Sequence, residues 1–207
     1  MSPEPTVFVI DDEPSFLEAL GRSVRGAGLP VASYRAAEPF LEAYQSSRPG
    51  CLVADIRLPG ISGLELQEVL AERGTPIPIV FITGHGDIAM AVTALRRGAV
   101  DFLEKPFAER ALLASVERAL AQDCKARTLE ADRATVMARL AQLTAREREV
   151  FALVVADKSA KEIAAELCIS PRTVEHHREH VMAKMGAASW HDLYNMAVIG
   201  CLHEPRL

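Results

Sequence analysis

Five short apolar segments alternate with amphipathic segments before residue 107, and this alternation constrains the fold more than any other feature. The apolar segments are VFVI, PVASY, CLVADI, IPIVFIT and VDFLEKP, which have the length and composition of strands. The segments between them carry apolar residues at three- and four-residue spacing, which is typical of helices: FLEALGRSVRGAG, AEPFLEAYQSS, GLELQEVLAERG and IAMAVTALRRGA. This order predicts an α/β domain with a five-stranded parallel sheet covered by helices on both faces.

Glycine and proline divide the chain further. Of the 12 glycines and 12 prolines all but a few precede Phe107, and none lies between Phe107 and Ser170. Residues 109–142 are rich in Ala, Leu, Glu and Arg, which predicts a helix of up to roughly 50 Å. Its apolar residues do not keep one heptad register, so we interpret it as a linker helix and not as a sustained coiled coil. The predicted divisions are a first domain at 1–122, a linker helix at 123–141 and an all-α domain at 142–207.

Composition excludes several classes of protein. A hydrophobic content of 49% with 25% charged residues is typical of a globular chain, and the longest apolar runs are too short to cross a bilayer. The start MSPEPT lacks a basic stretch followed by an apolar one, so we expect a cytoplasmic protein without a membrane partner. The four cysteines are far apart and form no CxxC pair, which favours reduced thiols in the core over a metal or redox site.

Polar residues stand at the ends of four predicted strands. Ligands of an open parallel sheet bind beyond the carboxyl ends of its strands, so these side chains are expected to converge. Three clustered carboxylates repel one another unless a cation neutralises them, and oxygen ligands at that density suit Mg²⁺. The residues are Asp11 and Asp12 after the first strand, Asp55 after the third, Thr83 after the fourth and Lys105 after the fifth.

Asp55 is the candidate nucleophile of this group. It lies between CLVA and the turn IRLPGISG, where its carboxylate is placed to attack a phosphoryl group and form an acyl phosphate. Phosphoryl transfer needs little from a protein beyond positioning and charge neutralisation. Lys105 would supply a positive charge and Thr83 a hydroxyl donor, while Gly84 would leave room for the phosphoryl group.

The motifs VFVIDDE, LPGISG behind Asp55, FITGHGD and VDFLEKPF resemble the receiver domain of two-component response regulators, and the last two resemble its FixJ-like branch. The resemblance covers residues 5–122 and implies a doubly wound, flavodoxin-like sheet of strand order 2-1-3-4-5. It implies that a sensor histidine kinase phosphorylates Asp55, with at most self-catalysed phosphotransfer and dephosphorylation and no further enzyme activity. The implied Mg²⁺ ligands are Asp12, Asp55 and the main-chain carbonyl of Arg57, with Asp11 acting through water. The implied switch pair is Thr83 and Phe102.

The last segment marks its helices by capping chemistry. TARE, SAKE and SWHD each place Ser or Thr three residues before an acidic side chain, and SPRT places a proline at the first helical position. Four helices are predicted near 145–156, 160–168, 171–185 and 190–202. The tight connection LCISPRT between the second and third predicts a helix-turn-helix.

Residues 143–202 resemble the four-helix DNA-binding domain of LuxR-type regulators. Apolar residues at helical spacing are assigned to its core: Ile163, Ala164, Leu167, Ile169, Val174 and Val181. The implied DNA-contacting residues are Lys161, Arg172, Thr173, Glu175, His176, Arg178, Glu179 and Lys184. The resemblance further implies promoter DNA with an imperfect palindrome, a homodimer when phosphorylated, and RNA polymerase as partners.

The chain departs from the LuxR-type pattern at several positions. Asp157 and Cys168 stand where the family commonly has glycine, and a left-handed backbone would cost a cysteine about 1–2 kcal/mol. Ala160 replaces a common asparagine, and Glu175 and Glu179 weaken the basic footprint. Residues 141–207 carry 8 Lys and Arg against 9 Asp and Glu, so phosphate contacts should give only modest affinity.

Three functions remain open at this stage. The first is a transcription regulator whose DNA binding is controlled by phosphorylation. The second is an enzyme, a Mg²⁺-dependent phosphohydrolase with an aspartate nucleophile, although such sheets usually carry that nucleophile in a DxD arrangement after the first strand. In the third, the chain binds DNA and the acidic site is vestigial. We also expect a cis peptide bond at Lys105–Pro106, where the chain must turn sharply after delivering Lys105.

Overall fold

The computed structural model describes residues 4–84 and 88–200, and it consists of two compact units, Met1–Ala126 and Arg127–Leu207. The first unit ends four residues beyond the predicted boundary at 122. One reason is Asp123, a buried residue whose Oδ2 accepts the backbone N–H of Gly50 at 2.9 Å. This bond ties the middle of a long helix to the start of a central strand, so the helix belongs to the first unit up to that point.

The first unit contains the predicted parallel sheet. Its strands pair in the order β2-β1-β3-β4-β5, and every pair is parallel, which confirms the predicted doubly wound topology. The order reverses between β1 and β3, so a crevice forms beyond the carboxyl ends of these two strands. The strands are β1 (Thr6–Ile10), β2 (Val31–Tyr34), β3 (Gly50–Asp55), β4 (Ile79–Thr83) and β5 (Asp101–Glu104).

Helices cover both faces of this sheet because side chains of each central strand alternate between them. Phe8, Leu52 and Phe81 pack on one face with residues of α2, α3 and α4, whereas Val9 and Val53 pack on the other with residues of α1 and α5. The three central strands are buried along their whole length. The helices of this unit are α1 (Pro14–Gly26), α2 (Ala37–Ala43), α3 (Gly63–Glu72), α4 (Ile88–Arg96) and the first part of α5 (Glu109–Ala141).

The single helix α5 runs through 33 residues, which confirms the predicted long helix. At 1.5 Å per residue its length is about 50 Å. Val116 and Ala119 belong to the core of the first unit, and Val136 belongs to the core of the second. Among the described residues, neither α5 nor any other helix is long and apolar enough to cross a membrane.

The second unit has the four helices that capping chemistry predicted. Thr144, Ser159 and Ser189 each form a complete capping box with the acidic residue three positions later, and Ser170 caps a helix that begins at Pro171. The helices are α6 (Ala145–Val155), α7 (Ala160–Glu166), α8 (Pro171–Met185) and α9 (Trp190–Ile199). The last residues predicted for α9, 201 and 202, lie outside the described part of the chain.

The core of the second unit forms as predicted. Ile163, Ala164 and Val174 are buried in one cluster, against which Leu167 and Ile169 pack with part of their surface exposed, and Val181 is fully buried in a second cluster. Burying one face of α7 and α8 fixes the angle of the helix-turn-helix and leaves the opposite face of α8 in solvent.

Two residues of this unit have the left-handed backbone considered from the sequence. Asp157 has a φ of 59° and Cys168 a φ of 52°, at the ends of α6 and α7. Asp tolerates this conformation because its short polar side chain bonds locally, whereas the Cβ of a cysteine crowds the following carbonyl. Cys168 is exposed, and its thiol donates a weak hydrogen bond to the carbonyl of Ala165, with Sγ and O 3.9 Å apart.

We expect Cys168→Gly to stabilise the protein. Removing the Cβ relieves about 1–2 kcal/mol of strain, and the added freedom of the unfolded chain takes back part of it, which leaves a gain of roughly 0.5–1 kcal/mol in the free energy of unfolding. Urea denaturation followed by circular dichroism measures the change. Cys168→Ala keeps the Cβ and serves as the control, so equal gains from alanine and glycine would contradict the explanation.

Candidate functional site

Three predicted site residues meet at the carboxyl end of the sheet. The Nζ of Lys105 donates to Asp11 Oδ2 at 2.8 Å and to Asp55 Oδ2 at 2.7 Å. Asp11 follows β1, Asp55 ends β3 and Lys105 follows β5, so three strands bring together residues up to 94 positions apart in sequence. The predicted convergence is therefore present for these three side chains.

Asp55 is buried but keeps a defined orientation. Its Oδ1 accepts the backbone N–H of Arg57 at 2.8 Å, while Oδ2 accepts from Lys105. The start of α3 approaches closely: a Cβ on Gly63 would lie 2.5 Å from the carbonyl oxygen of Asp55, so only glycine fits there. The N–H of Arg57 in the turn after β3 thus fixes Oδ1 of Asp55, while Oδ2 lies against Lys105 at the carboxyl end of the sheet.

Charge in this group is unbalanced. Burial raises the pKa of Asp11 despite the opposing hydrogen bonds from Lys105 and from the N–H of Glu13. Burial would lower the pKa of Lys105, but its bonds to Asp11 and Asp55 outweigh that effect and the net pKa is raised. Lys105 therefore stays charged, and one ammonium is shared between two carboxylates.

Phe16 is a residue of this site that the sequence did not indicate. The ammonium of Lys105 lies 3.9 Å from the centroid of the Phe16 ring, within the range of a cation–π contact. Phe107 packs edge-on against the same ring, with centroids 5.9 Å apart. In sequence Phe16 is an ordinary apolar position of α1, and nothing in its spacing distinguishes it from a core residue.

The other predicted receiver residues, Asp12, Thr83 and Phe102, lie in the strands or shortly after them. Thr83 is buried at the end of β4, and its carbonyl accepts the N–H of Lys105 at 2.7 Å. Phe102 is partly buried against the core on the α4 side of the sheet, whereas Asp12 is exposed. The peptide bond between Lys105 and Pro106 is cis, as predicted. Residues 85–87 of the motif FITGHGD lie outside the described residues.

The donor set suits a magnesium ion by its chemistry. Mg²⁺ is commonly held by one or two carboxylates while it keeps several waters. Asp11 and Asp55 offer carboxylate oxygens from two neighbouring strands, and because they share one ammonium, a further positive charge between them would be stabilising. Within the described residues, no three His, Cys, Asp or Glu side chains are grouped to hold a metal, so at most two carboxylates would bind the ion directly, and main-chain oxygen and water would supply the other ligands.

The predicted DNA-contacting residues lie on α7 and α8, and most are exposed. One face of α8 is packed through Val174 and Val181, and the exposed residues project from the rest of its surface. The exposed members are Lys161, Arg172, Thr173, Glu175, His176 and Glu179.

Two of the predicted cations are held by other side chains. Arg178 pairs with Glu175 at 3.0 Å, and its guanidinium lies 4.1 Å from the centroid of the Trp190 ring. Lys184 donates to Glu147 Oε2 at 2.6 Å. Either residue would have to leave or share its partner to reach a phosphate.

Glu147 is a second residue that the sequence did not single out as a link between elements. Its carboxylate accepts the N–H of Thr144 at 2.7 Å in the capping box of α6 and also accepts from Lys184 on α8. The bonds from Lys184 and from the backbone of Thr144 lower the pKa of Glu147 to about 2. One carboxylate therefore closes a helix cap and ties α6 to the third helix of the unit.

A doubly wound sheet with an acidic strand-end site, joined by one long helix to a helix-turn-helix unit, defines a two-domain transcription regulator. Comparison with known families agrees: the response regulator receiver domain matches residues 7–117, and the luxR family of bacterial regulatory proteins matches residues 141–197. The chain belongs to the response regulator family and carries a LuxR-type DNA-binding domain. It is a two-component response regulator that controls transcription.

Relatives are similar over nearly the whole chain. The transcriptional regulatory protein FixJ of Azorhizobium caulinodans is 44% identical over 193 residues, 93% of this chain and 92% of FixJ. FixJ of Rhizobium meliloti is also 44% identical, over 94% of this chain and 96% of its own. Among solved structures, the response regulator StyR is 42% identical with a TM-score of 0.83 and covers 94% of this chain and 98% of StyR. Full-length FixJ from B. japonicum is 38% identical with a TM-score of 0.59, over 98% of this chain and 100% of that one.

We expect Glu147→Gln to lower the free energy of unfolding at neutral pH, because a neutral amide cannot form the ion pair with Lys184. The pKa of this carboxyl group falls from its ordinary value of 4.5 to about 2 in the folded chain, so its contribution to stability is complete above about pH 4.5 and is lost as the pH falls toward 2. The difference between wild type and variant should therefore shrink below pH 4.5. Urea denaturation at a series of pH values measures it.

Glu149→Gln is the matched control for this prediction. Glu149 lies on the same helix and pairs with Arg146, but about half of its side chain is exposed, so its ion pair should contribute little. A stability difference for Glu147→Gln that stayed constant from neutral to acid pH would show that the lowered pKa is not its cause.

Proposed function

We propose that a sensor histidine kinase phosphorylates Asp55 and that the modified chain binds promoter DNA as a homodimer. The observation that carries the proposal is the convergence of Asp11, Asp55 and Lys105 at the carboxyl end of the sheet, with Asp55 held through Arg57 N–H. A buried carboxylate beside one shared ammonium is a suitable acceptor for a phosphoryl group. The cytoplasm is the compartment in which such a regulator meets both kinase and DNA.

In the transfer step an oxygen of Asp55 forms a bond to phosphorus while the bond between phosphorus and the donor nitrogen breaks. The electron pair of that bond stays on the imidazole of the kinase, which takes up a proton. Lys105 then neutralises an oxygen of the phosphoryl group, and the hydroxyl of Thr83 donates to another. Asp12, Asp55 and the carbonyl of Arg57 would hold Mg²⁺, with Asp11 acting through water. When bound, the ion supplies charge neutralisation to carboxylates and phosphoryl oxygens.

The signal would leave the site through Thr83 and Phe102. Movement of the Thr83 hydroxyl toward the phosphoryl group opens space behind it, into which the Phe102 ring turns. Phe102 is packed with residues of α4 against the sheet, so its movement would alter the surface of α4, β5 and α5. Two large apolar side chains of α4, Val92 and Leu95, are 43% and 46% exposed on this unit and could be covered in a dimer.

The DNA-binding unit would present α8 to the major groove of each half of an imperfect palindrome. Six members of the predicted set are exposed, and among them we assign Lys161, Thr173 and His176 first, on their resemblance to the LuxR-type motif. Arg172, Glu175 and Glu179 would contact the outer base pairs of each half-site. The carboxylates of the two glutamates can accept hydrogen bonds from cytosine amino groups. Arg178 and Lys184 would act at phosphates after exchanging their present partners. RNA polymerase would be the next partner once the promoter is occupied.

No observation favours the phosphohydrolase alternative. The family includes regulators of transcription, and a LuxR-type domain has no role in the hydrolysis of a small phosphate ester. At most the receiver would catalyse its own phosphorylation and the loss of its own phosphoryl group.

We expect Asp55→Asn to abolish phosphorylation. Incubation with radiolabelled acetyl phosphate and Mg²⁺ should label the wild type and leave the variant unlabelled, because the amide lacks the nucleophilic oxygen. Asp12→Ala should weaken Mg²⁺ binding, so this variant should need a higher Mg²⁺ concentration to be labelled. Glu72→Gln, an exposed change at the far end of α3, should label normally. Labelling of Asp55→Asn at the wild-type position would refute the assignment.

We expect phosphorylation to convert a monomer into a dimer that binds DNA more tightly. Linking two weakly basic units should raise the affinity on the order of a hundredfold without new base contacts. Sedimentation with and without a phosphate mimic measures the mass, and titration of promoter DNA at fixed salt measures the affinity. Asp55→Asn should respond in neither assay. If the mimic changes neither the mass nor the affinity of the wild type, the coupling scheme is wrong.

A further inference from the structure

Two histidines on the exposed side of α8 have a geometry that DNA binding does not require. His176 and His180 are one helical turn apart, both are exposed, and their ring centroids are only 4.2 Å apart. We propose that these two imidazoles form a chelating site for a divalent transition metal ion, such as Ni²⁺, Cu²⁺ or Zn²⁺, on the third helix of the DNA-binding unit. Histidines four positions apart project from one face of a helix, and this spacing serves metal sites in other helices.

The carboxylate of Glu147 lies close to the His180 ring. The Nδ1 of His180 lies 3.7 Å from Glu147 Oε1, while Oε2 of the same carboxylate is held by Lys184. Metal-bound histidines usually direct their second ring nitrogen to a carboxylate, which fixes the tautomer and the direction of the ligating nitrogen. At 3.7 Å this contact is longer than a hydrogen bond, but Glu147 is only 4% exposed, so a small rotation of the His180 ring would bring Nδ1 to the carboxylate and leave Nε2 to bind the metal.

The chemistry of the pair decides the class of metal. Imidazole nitrogen suits Zn²⁺, Cu²⁺ and Ni²⁺, whereas Mg²⁺ and Ca²⁺ prefer oxygen. Two protein ligands leave the other coordination positions to water, as expected for a site in which the described residues supply no third metal-binding side chain.

Metal binding and DNA binding would exclude each other at this site, an extension that rests on the proposed role of α8 in the major groove. His176 is in the set assigned to base contacts, and a hydrated metal ion bound to it would occupy that space. The regulator would then lose DNA affinity at elevated transition-metal concentration without any change in its phosphorylation.

The test is titration of the full-length protein with Ni²⁺, followed by calorimetry. Ni²⁺ is chosen because the exposed thiols Cys124 and Cys168 would compete for softer ions. His176→Gln and His180→Gln should each weaken the tightest binding event on the order of a hundredfold, because each removes one arm of the chelate. His177→Gln is the matched control: it removes the adjacent ring, whose centroid is 6.3 Å from that of His176, and should bind as the wild type does.

Wild-type Ni²⁺ affinity in a variant that carries both His176→Gln and His180→Gln, or a loss of affinity caused by His177→Gln alone, would overturn the proposed site. A second arm measures fluorescence anisotropy of a labelled mixed-sequence duplex at low salt. Ni²⁺ should release the duplex from the wild type and from His177→Gln, but not from His180→Gln, a variant that leaves every residue assigned to DNA contacts in place. If Ni²⁺ binds at the pair and the duplex stays bound, the metal site stands, while the mutual exclusion and the placement of His176 against DNA are both wrong.

Discussion

The structure of the receiver depends on one geometric constraint: the carboxyl ends of parallel strands meet at the same edge of the sheet. Asp11 and Asp55 are 44 residues apart in sequence, yet β1 and β3 are paired neighbours and place both carboxylates beside the ammonium of Lys105. Burying two carboxylates side by side is unfavourable without a cation. The ammonium of Lys105 offsets one of the two negative charges, so the site keeps an excess of negative charge. The negative charge left over would favour a further cation at the site, and that cation would in turn offset the charge of an incoming phosphoryl group.

Most of the fold could be predicted because its signals are local. Alternating strands and helices specify the sheet, and the capping boxes at Thr144, Ser159 and Ser189 fix three helix starts within a residue. The strand-end residues of the site were also accessible, since a parallel sheet leaves little choice about where its strands end. Even the two left-handed positions, Asp157 and Cys168, could be located, because glycine is usual there in similar proteins.

The sequence did not indicate which side chains pair with each other once the helices and strands have packed. Lys184 is a basic residue near the end of α8 and was expected to contact phosphate, yet it pairs with a glutamate 37 positions earlier. Arg178 pairs with Glu175 and covers the Trp190 ring, and Phe16 covers Lys105. The pair of Arg178 with Glu175 has the three-residue spacing of neighbours on one helix, but the other contacts have no periodic or motif signal, because each depends on how two elements pack against each other.

These pairings weaken an interface that is already poor in positive charge. With 8 Lys and Arg against 9 Asp and Glu in residues 141–207, and with Arg178 and Lys184 engaged within the unit, few cations remain to displace counterions from DNA. Each exchange of a protein carboxylate for a phosphate gains little, because the carboxylate left behind loses its partner. Affinity that phosphate contacts cannot supply must come from base contacts or from a second copy of the chain. A monomer of this composition is therefore better suited to being switched by association than to holding DNA by itself.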